Sequence, residues 1–194
     1  MRKILNKWYL KYLRRKYPNF KTGKNVSVDY DSQFILYKNE LVLKDNVKIR
    51  SRQRGYHAGM PFVSTFLIDV PGAKITVGEN CRLNGVYLHA QSEIAIGRNT
   101  VIASGVNIID SNGHVLNSSN RTVGRDVPKP IIIGENVWIG LNSIILKGTV
   151  IGDNSMVTAG SVVKGDFPAN SLISGNPAKV TDIINIKDYE ISNT

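Results

Sequence analysis

The chain has 194 residues, 42% of them hydrophobic, a formal charge of +10 and a single cysteine. Such a chain suits one domain with a sizeable core and excludes global disorder. No apolar run approaches the roughly 20 residues needed to span a bilayer, and a lone Cys81, unable to form an internal disulfide, suits a reducing, cytoplasmic setting.

Residues 1–22 read as a basic amphipathic segment. A helix is expected over 2–17, with Ile4, Leu5, Trp8, Tyr9, Tyr12 and Leu13 at helical spacing on one face. Tyr17-Pro18 ends it, because the residue before proline is pushed out of the helical region. Its scattered charge does not fit a secretory signal. Nine basic residues, from Arg2 to Lys24, precede the first acid, Asp29. A basic end of this kind suits an anionic surface. Two readings stand side by side: a helix lying peripherally on the inner face of a membrane, or one packed on the rest of the chain.

Residues 23–180 carry a second pattern. It begins irregularly with Val26 and Val28, Leu41 and Leu43, Val47 and Ile49, and is interrupted over Arg50–Phe66. Lys48, Arg50, Arg52 and Arg54 alternate there, so on a strand they would share one face. That face would meet an acidic glycan or a diphosphate, or simply form a solvated edge. Beyond it the pattern sharpens through Ile75, Val77, Leu83, Ile94, Ile96, Ile102 and Ile108. Ile133, Ile139, Ile145, Ile151, Val157 and Val163 then recur at an interval of six, which no helix or ordinary sheet has. The period predicts a parallel β-helix of 18-residue triangular coils, an all-β fold with a short N-terminal helix and a protruding loop. Gly78, Asn80, Gly97, Asn99, Gly134, Asn136, Gly152 and Asn154 are placed to turn its corners. Cys81 falls in a repeat position, as a small buried hydrophobe.

The long break at 110–130 divides two regular coils, and structureless loops of that length are uncommon unless functional. It carries His114, a residue type whose ordinary titration range suits a general base, and which equally suits a surface position without a role. Residues 181–194 form a short C-terminal tail.

The segments IGRNTVIASGVNIIDSNGH, PIIIGENVWIG, TVIGDNSMVTAGSVV and SGNPAKV resemble the hexapeptide-repeat acyltransferases. The likeness is to the branch holding galactoside and maltose O-acetyltransferases and many polysaccharide O-acetyltransferases. It covers residues 75–180 and weakens before residue 70. It implies a left-handed β-helix, an exception to the right-handed crossover rule. It also implies a homotrimer with active sites between neighbouring prisms, and acetyl-CoA as co-substrate with no metal. His114 occupies the place of the family's general base. Gly140 and Leu141 lie where the family places backbone donors for the oxyanion. Trp138 matches a tryptophan beside pantetheine and acceptor, and Asn84 and Asp110 fall at the acceptor side, although Asp110 equally suits a turn. Ala159 and Gly160 match the smooth groove for the CoA arm, and Lys164 and Lys179 are the cations available for its phosphates. Gly165 and Asp182 stand where close relatives carry basic residues.

The resemblance therefore implies acetyl-CoA-dependent O-acetylation of a sugar or glycan hydroxyl, in surface polysaccharide synthesis. An alternative is N-acetylation of a nucleotide-linked amino sugar. A γ-carbonic-anhydrase-like zinc enzyme would use His57, His89 and His114, but no two of them have that family's five-residue spacing. A nucleic-acid partner is not expected, because the basic segment carries no recognition motif. A non-catalytic scaffold would leave His114 without effect.

Overall fold

A computed structural model describes residues 2–186. Beyond one helix, the chain winds into three parallel sheets, visited in strict rotation. A first face has seven strands, a second has eight and a third has six. The six residues of the sequence repeat all point inward: Ile133, Ile139, Ile145, Ile151, Val157 and Val163 are each at most 1% exposed. They fall on the first, second and third faces in turn, so 18 residues make one coil. Parallel register stacks the inward residues in columns. Leu43, Val77, Ile96, Ile133, Ile151 and Phe167 form one on the first face. Val28, Ile49, Leu83, Ile102, Ile139, Val157 and Ile173 form another on the second. Burying each Leu, Ile or Val in such a column stabilises by roughly 1.5–3 kcal/mol.

The corners divide their tasks between residue types. Every corner from the first face to the second has an asparagine at positive φ: Asn25, Asn46, Asn80, Asn99, Asn136, Asn154 and Asn170. Their amides bond in a ladder up the edge, as in Asn46 to Asn80 at 2.9 Å and Asn136 to Asn154 at 2.9 Å. The expected corner glycines serve differently. Gly78, Gly97, Gly134 and Gly152 are absent from the positive-φ residues, and they answer a need for space. A Cβ on Gly97 would lie 2.5 Å from the Gly134 backbone of the next coil.

The helix Arg2–Lys16, α1, forms as expected, but only part of the expected apolar face turns inward. Leu13 is buried, and Tyr9 and Leu10 pack against the core. Arg2 meets Asp31 at 2.9 Å and Asp29 at 3.2 Å, Asn6 donates to Asp29 at 2.8 Å, and the Tyr9 hydroxyl donates to the Ser32 carbonyl. Ile4, Leu5, Trp8 and Tyr12 remain exposed. The inward face is the one that carries Arg2 and Asn6 to the acidic turn at Asp29–Asp31, so polar anchors set the roll of the helix. The first strand starts at Phe20, inside the segment read as the helical end, and the last, Ala178–Ile183, runs back antiparallel on Ser171–Gly175. Most of the C-terminal tail lies outside the described residues. No helix among the described residues is long and apolar enough to cross a membrane.

Candidate active site

Two insertions interrupt the rotation of strands. The first, residues 51–64, leaves the second face after Lys48–Arg50 and returns at Thr65–Ile68 on the third. Its base is held by Ser51, whose N–H donates to Asp29 at 3.0 Å and whose hydroxyl accepts from the Ser64 N–H at 2.8 Å. Its tip is held by the Ser104 hydroxyl, which donates to the Gly59 carbonyl. The loop thus folds over the edge between the second and third faces. There Arg50, Tyr56, His57 and Ala58 wall a cleft of about 510 Å³ against Arg82, Asn84, Val101, Trp138 and Leu141.

Trp138 stands outward on this face, 53% exposed, between Val101 and Met156. Asn84 is buried at the wall of the same cleft. Its Nδ2 donates to the Ile102 carbonyl at 3.0 Å, which fixes the amide. Its Oδ1 is the one buried side-chain polar atom among the described residues with no hydrogen-bond partner. An unpaired acceptor of that kind costs about 1–3 kcal/mol.

Gly140 follows along the same edge. A Cβ there would lie 2.6 Å from the Ala159 nitrogen, so glycine is required for the coils to approach. Its N–H donates to the Val157 carbonyl at 2.8 Å, so the ladder already holds that proton. The Leu141 N–H takes no such part in the backbone bonding. Ala159 and Gly160 form the exposed corner one coil further on, Gly160 with φ of 72°. Lys179 lies paired with Ser174 on the closing strand of the same sheet. Asn84, Leu141, Ala159, Gly160 and Lys179 therefore follow one side of the prism, coil by coil.

The second insertion, after Asn107–Ile109, leaves a different edge, between the third and first faces. Asp110 closes its base. It is fully buried, and its carboxylate accepts from the Gln91 N–H at 2.8 Å and the Ser92 N–H at 2.7 Å. Burial pushes this carboxyl above its ordinary value, opposed by those N–H groups. Both of its oxygens are engaged inside the fold, where Asp110 anchors the base of the loop. Asp126 pins the other end, accepting from the Asn112 N–H at 3.0 Å and from Lys147. His114 is exposed on this loop, and Lys164 lines a separate hollow beside it with Lys129, Lys147 and Leu116. One chain thus brings Asn84, Trp138 and Leu141 together, but sets His114 and Lys164 on another edge.

The remaining histidines are apart. His57 lines the cleft, and His89 bonds Asp69 at 2.9 Å on the third face. No group of three metal-ligating side chains occurs among the described residues. Cys81 is buried, its thiol pushed up to about 11 by burial.

Residues 130–164 match the hexapeptide repeat of succinyl-transferase. The putative acetyltransferase YJL218W of Saccharomyces cerevisiae is 37% identical over 134 residues, 66% of this chain and 68% of that protein. The chain belongs to the hexapeptide-repeat acyltransferases. Its coil is the left-handed β-helix that the resemblance implied. Two Escherichia coli relatives agree with the O-acetyltransferase likeness. The galactoside O-acetyltransferase is 35% identical over 131 residues, and the putative lipopolysaccharide biosynthesis O-acetyl transferase WbbJ is 37% identical over 116. These matches cover 63% and 55% of this chain and span only 64% and 59% of the two relatives. Galactoside acetyltransferase in complex with coenzyme A superposes with a TM-score of 0.55 at 25% identity, covering 97% of this chain and 87% of that one. AntD, an N-acyltransferase from Bacillus cereus in complex with dTDP and coenzyme A, shares the fold with a TM-score of 0.69 at 20% identity, covering 90% and 89%.

The interruption at Arg50–Phe66 is visible in the sequence, but its place as a wall of the site is not. The available signal is a second long break in a strict repeat, dense in arginine and bearing a histidine.

Proposed function

We propose that this chain transfers an acetyl group from acetyl-CoA to a sugar hydroxyl, in the building of a surface polysaccharide, and that it works as a homotrimer. The observation that carries the reading is the open cleft at Trp138 and Asn84, set on a coil edge with no room for a Cβ at Gly140. Trp138 offers an apolar platform for a sugar face or a pantetheine arm, and Asn84 offers an unpaired acceptor to a hydroxyl.

In the proposed step, His114 takes the proton from the acceptor hydroxyl while that oxygen attacks the thioester carbonyl. The tetrahedral oxyanion is met by the Leu141 N–H. The carbon–sulfur bond then breaks, the acetyl group stays on the sugar oxygen, and the CoA thiolate takes up the proton that His114 held. Ala159, Gly160 and Lys179 form the track for the CoA arm, with Lys164 on the neighbouring copy. Since His114 leaves a different edge from the cleft, each site joins the loop of one copy to the cleft of the next. A heterologous contact of this kind gives a ring where the rotation between copies closes, as at 120° in a trimer.

A second reading has one observation behind it: His57 lines the cleft of its own chain. Under that reading His57 is the base and no partner loop is needed. Release of CoA thiol from acetyl-CoA, with a panel of neutral sugars, amino sugars and lipid-linked glycans, separates these outcomes. We expect acceptor-dependent release that falls by about 10²-fold or more in His114→Ala, while His57→Ala changes mainly KM. Loss confined to His57→Ala supports the second reading, and transfer to an amine alone makes the reaction N-acetylation. No release with any acceptor overturns the acetyltransferase reading.

The helix α1 supports a peripheral place at the inner membrane face. Ile4, Leu5, Trp8 and Tyr12 stay exposed beside Lys3, Lys7, Lys11 and Arg15, with no acid in the helix.

A further inference from the structure

A second hollow of about 430 Å³ adjoins the acceptor cleft, and the two share Arg50 and Tyr56 as lining residues. This second hollow is also lined by Lys48, Arg52 and Arg54, with Arg2 and Asp29. Five cations, Lys48, Arg50, Arg52, Arg54 and Arg82, thus line two adjoining hollows, with Arg50 common to both. Among the described residues, none of the five forms an ion pair. Arg2 is matched by Asp29 and Asp31. Burial would raise the Asp29 carboxyl, but hydrogen bonds from Ser51, Asn6 and Arg2 hold it below its ordinary value, so its charge is already met within the fold.

The alignment of these cations follows from the coil. Lys48 pairs with Arg82, Arg82 with Val101 and Val101 with Trp138 in consecutive rungs of one ladder. At roughly 4.8 Å per rung, Lys48 stands about 14 Å from Trp138. A ligand lying along the face with its sugar at Trp138 and Asn84 would set whatever follows the ring among the cations. Arginine forks match phosphate oxygens two at a time, and a row of them suits two phosphates in series. A surplus of unpaired positive charge in a concave site also raises the local concentration of anions.

We infer that the acceptor is a sugar bearing a diphosphate, held by Lys48, Arg50, Arg52, Arg54 and Arg82 beside the acetylation site. The inference rests on the acceptor-site reading above and deepens it. Two sources carry the same chemistry, a nucleoside diphosphate sugar and a polyprenyl diphosphate sugar, and these cations recognise the part they share.

The test is equilibrium binding by calorimetry on the full chain, without acetyl-CoA, so it reads these cations independently of turnover. Probes are inorganic pyrophosphate, UDP-N-acetylglucosamine, farnesyl diphosphate-linked N-acetylglucosamine, methyl N-acetylglucosaminide and glucuronate. We expect pyrophosphate and both diphosphate sugars to bind, with affinity falling as salt rises, and the methyl glycoside and glucuronate to bind far more weakly. Lys48→Ala/Arg50→Ala should weaken pyrophosphate binding roughly tenfold or more, and Arg50→Lys should restore part of it. Both positions are exposed, and an unchanged melting temperature shows that the variants remain folded. Which diphosphate sugar binds tighter names the source. Absence of pyrophosphate binding at low salt, equal binding in Lys48→Ala/Arg50→Ala, or glucuronate binding more tightly than pyrophosphate would overturn the inference. A chain that acetylates neutral sugars yet ignores pyrophosphate loses this inference alone and keeps its proposed function.

Discussion

Single residues in this prism act mainly through backbone bonds. Asp110 secures two main-chain N–H groups where the long loop departs, and Ser143 donates to the Gly140 carbonyl at 2.9 Å at a corner of the edge that bears Trp138. Asp110→Ala leaves the Gln91 and Ser92 N–H groups without their partner, at about 1–3 kcal/mol for each that stays dry. At roughly 2–4 °C per kcal/mol for a chain of this size, the melting temperature should drop by several degrees. A calorimetric scan of the variant checks this, since loss of a mere ligand contact would leave the melting temperature unmoved. The sign of its pH dependence follows from the raised carboxyl. Its favourable contribution is full below the unfolded pKa and fades as pH rises through the folded one. The identity of Asp110 was plain in the sequence, but its direction was not, because a turn residue and a ligand contact share the same local pattern.

Elements show where periodicity is legible and where it stops. The interval of six from Ile133 to Val163 located inward columns, corners and coil length, because each coil repeats the same steric problem. Asn80, Asn99, Asn136 and Asn154 could be read as corners for the same reason. The roll of α1 could not be read from its apolar residues. Tyr9 and Leu13 pack inward while Ile4, Leu5, Trp8 and Tyr12 do not, since Arg2 and Asn6 are drawn to Asp29 and Asp31 in a turn some 25 residues away. The outward face gives a prediction of its own. Flotation with anionic phosphatidylglycerol vesicles should carry the wild type, and Lys7→Glu/Trp8→Ala/Lys11→Glu should remain in the dense fraction. Equal flotation of both would mean that the exposed stripe does not face lipid. The two inserted loops were visible as breaks in the repeat. Their destinations were not, because a loop's path depends on distant partners such as Ser104 for Gly59 and Lys147 for Asp126.

At the scale of the whole molecule, the prism sorts its chemistry by edge. The second face and its edge with the third hold Asn84, Trp138 and Leu141, with the basic hollow adjoining them. The edge between the third and first faces holds the His114 loop. A single sequence cannot reveal this separation, since His114 and Trp138 lie only 24 positions apart, on either side of one corner. The central claim is that the site is shared between copies, and mixing two inactive variants tests it most directly. His114→Ala keeps the cleft and loses the proposed base, whereas Asn84→Ala/Trp138→Ala keeps the loop and loses the proposed acceptor cleft. Each should be nearly inactive in acetyl-CoA-dependent thiol release. Co-refolded at equal amounts, they should regain about a quarter of wild-type activity, the fraction of head-to-tail interfaces that pair an intact loop with an intact cleft. Mixed assemblies that form but show no recovery would contradict a shared site and place the base within the same chain as the cleft.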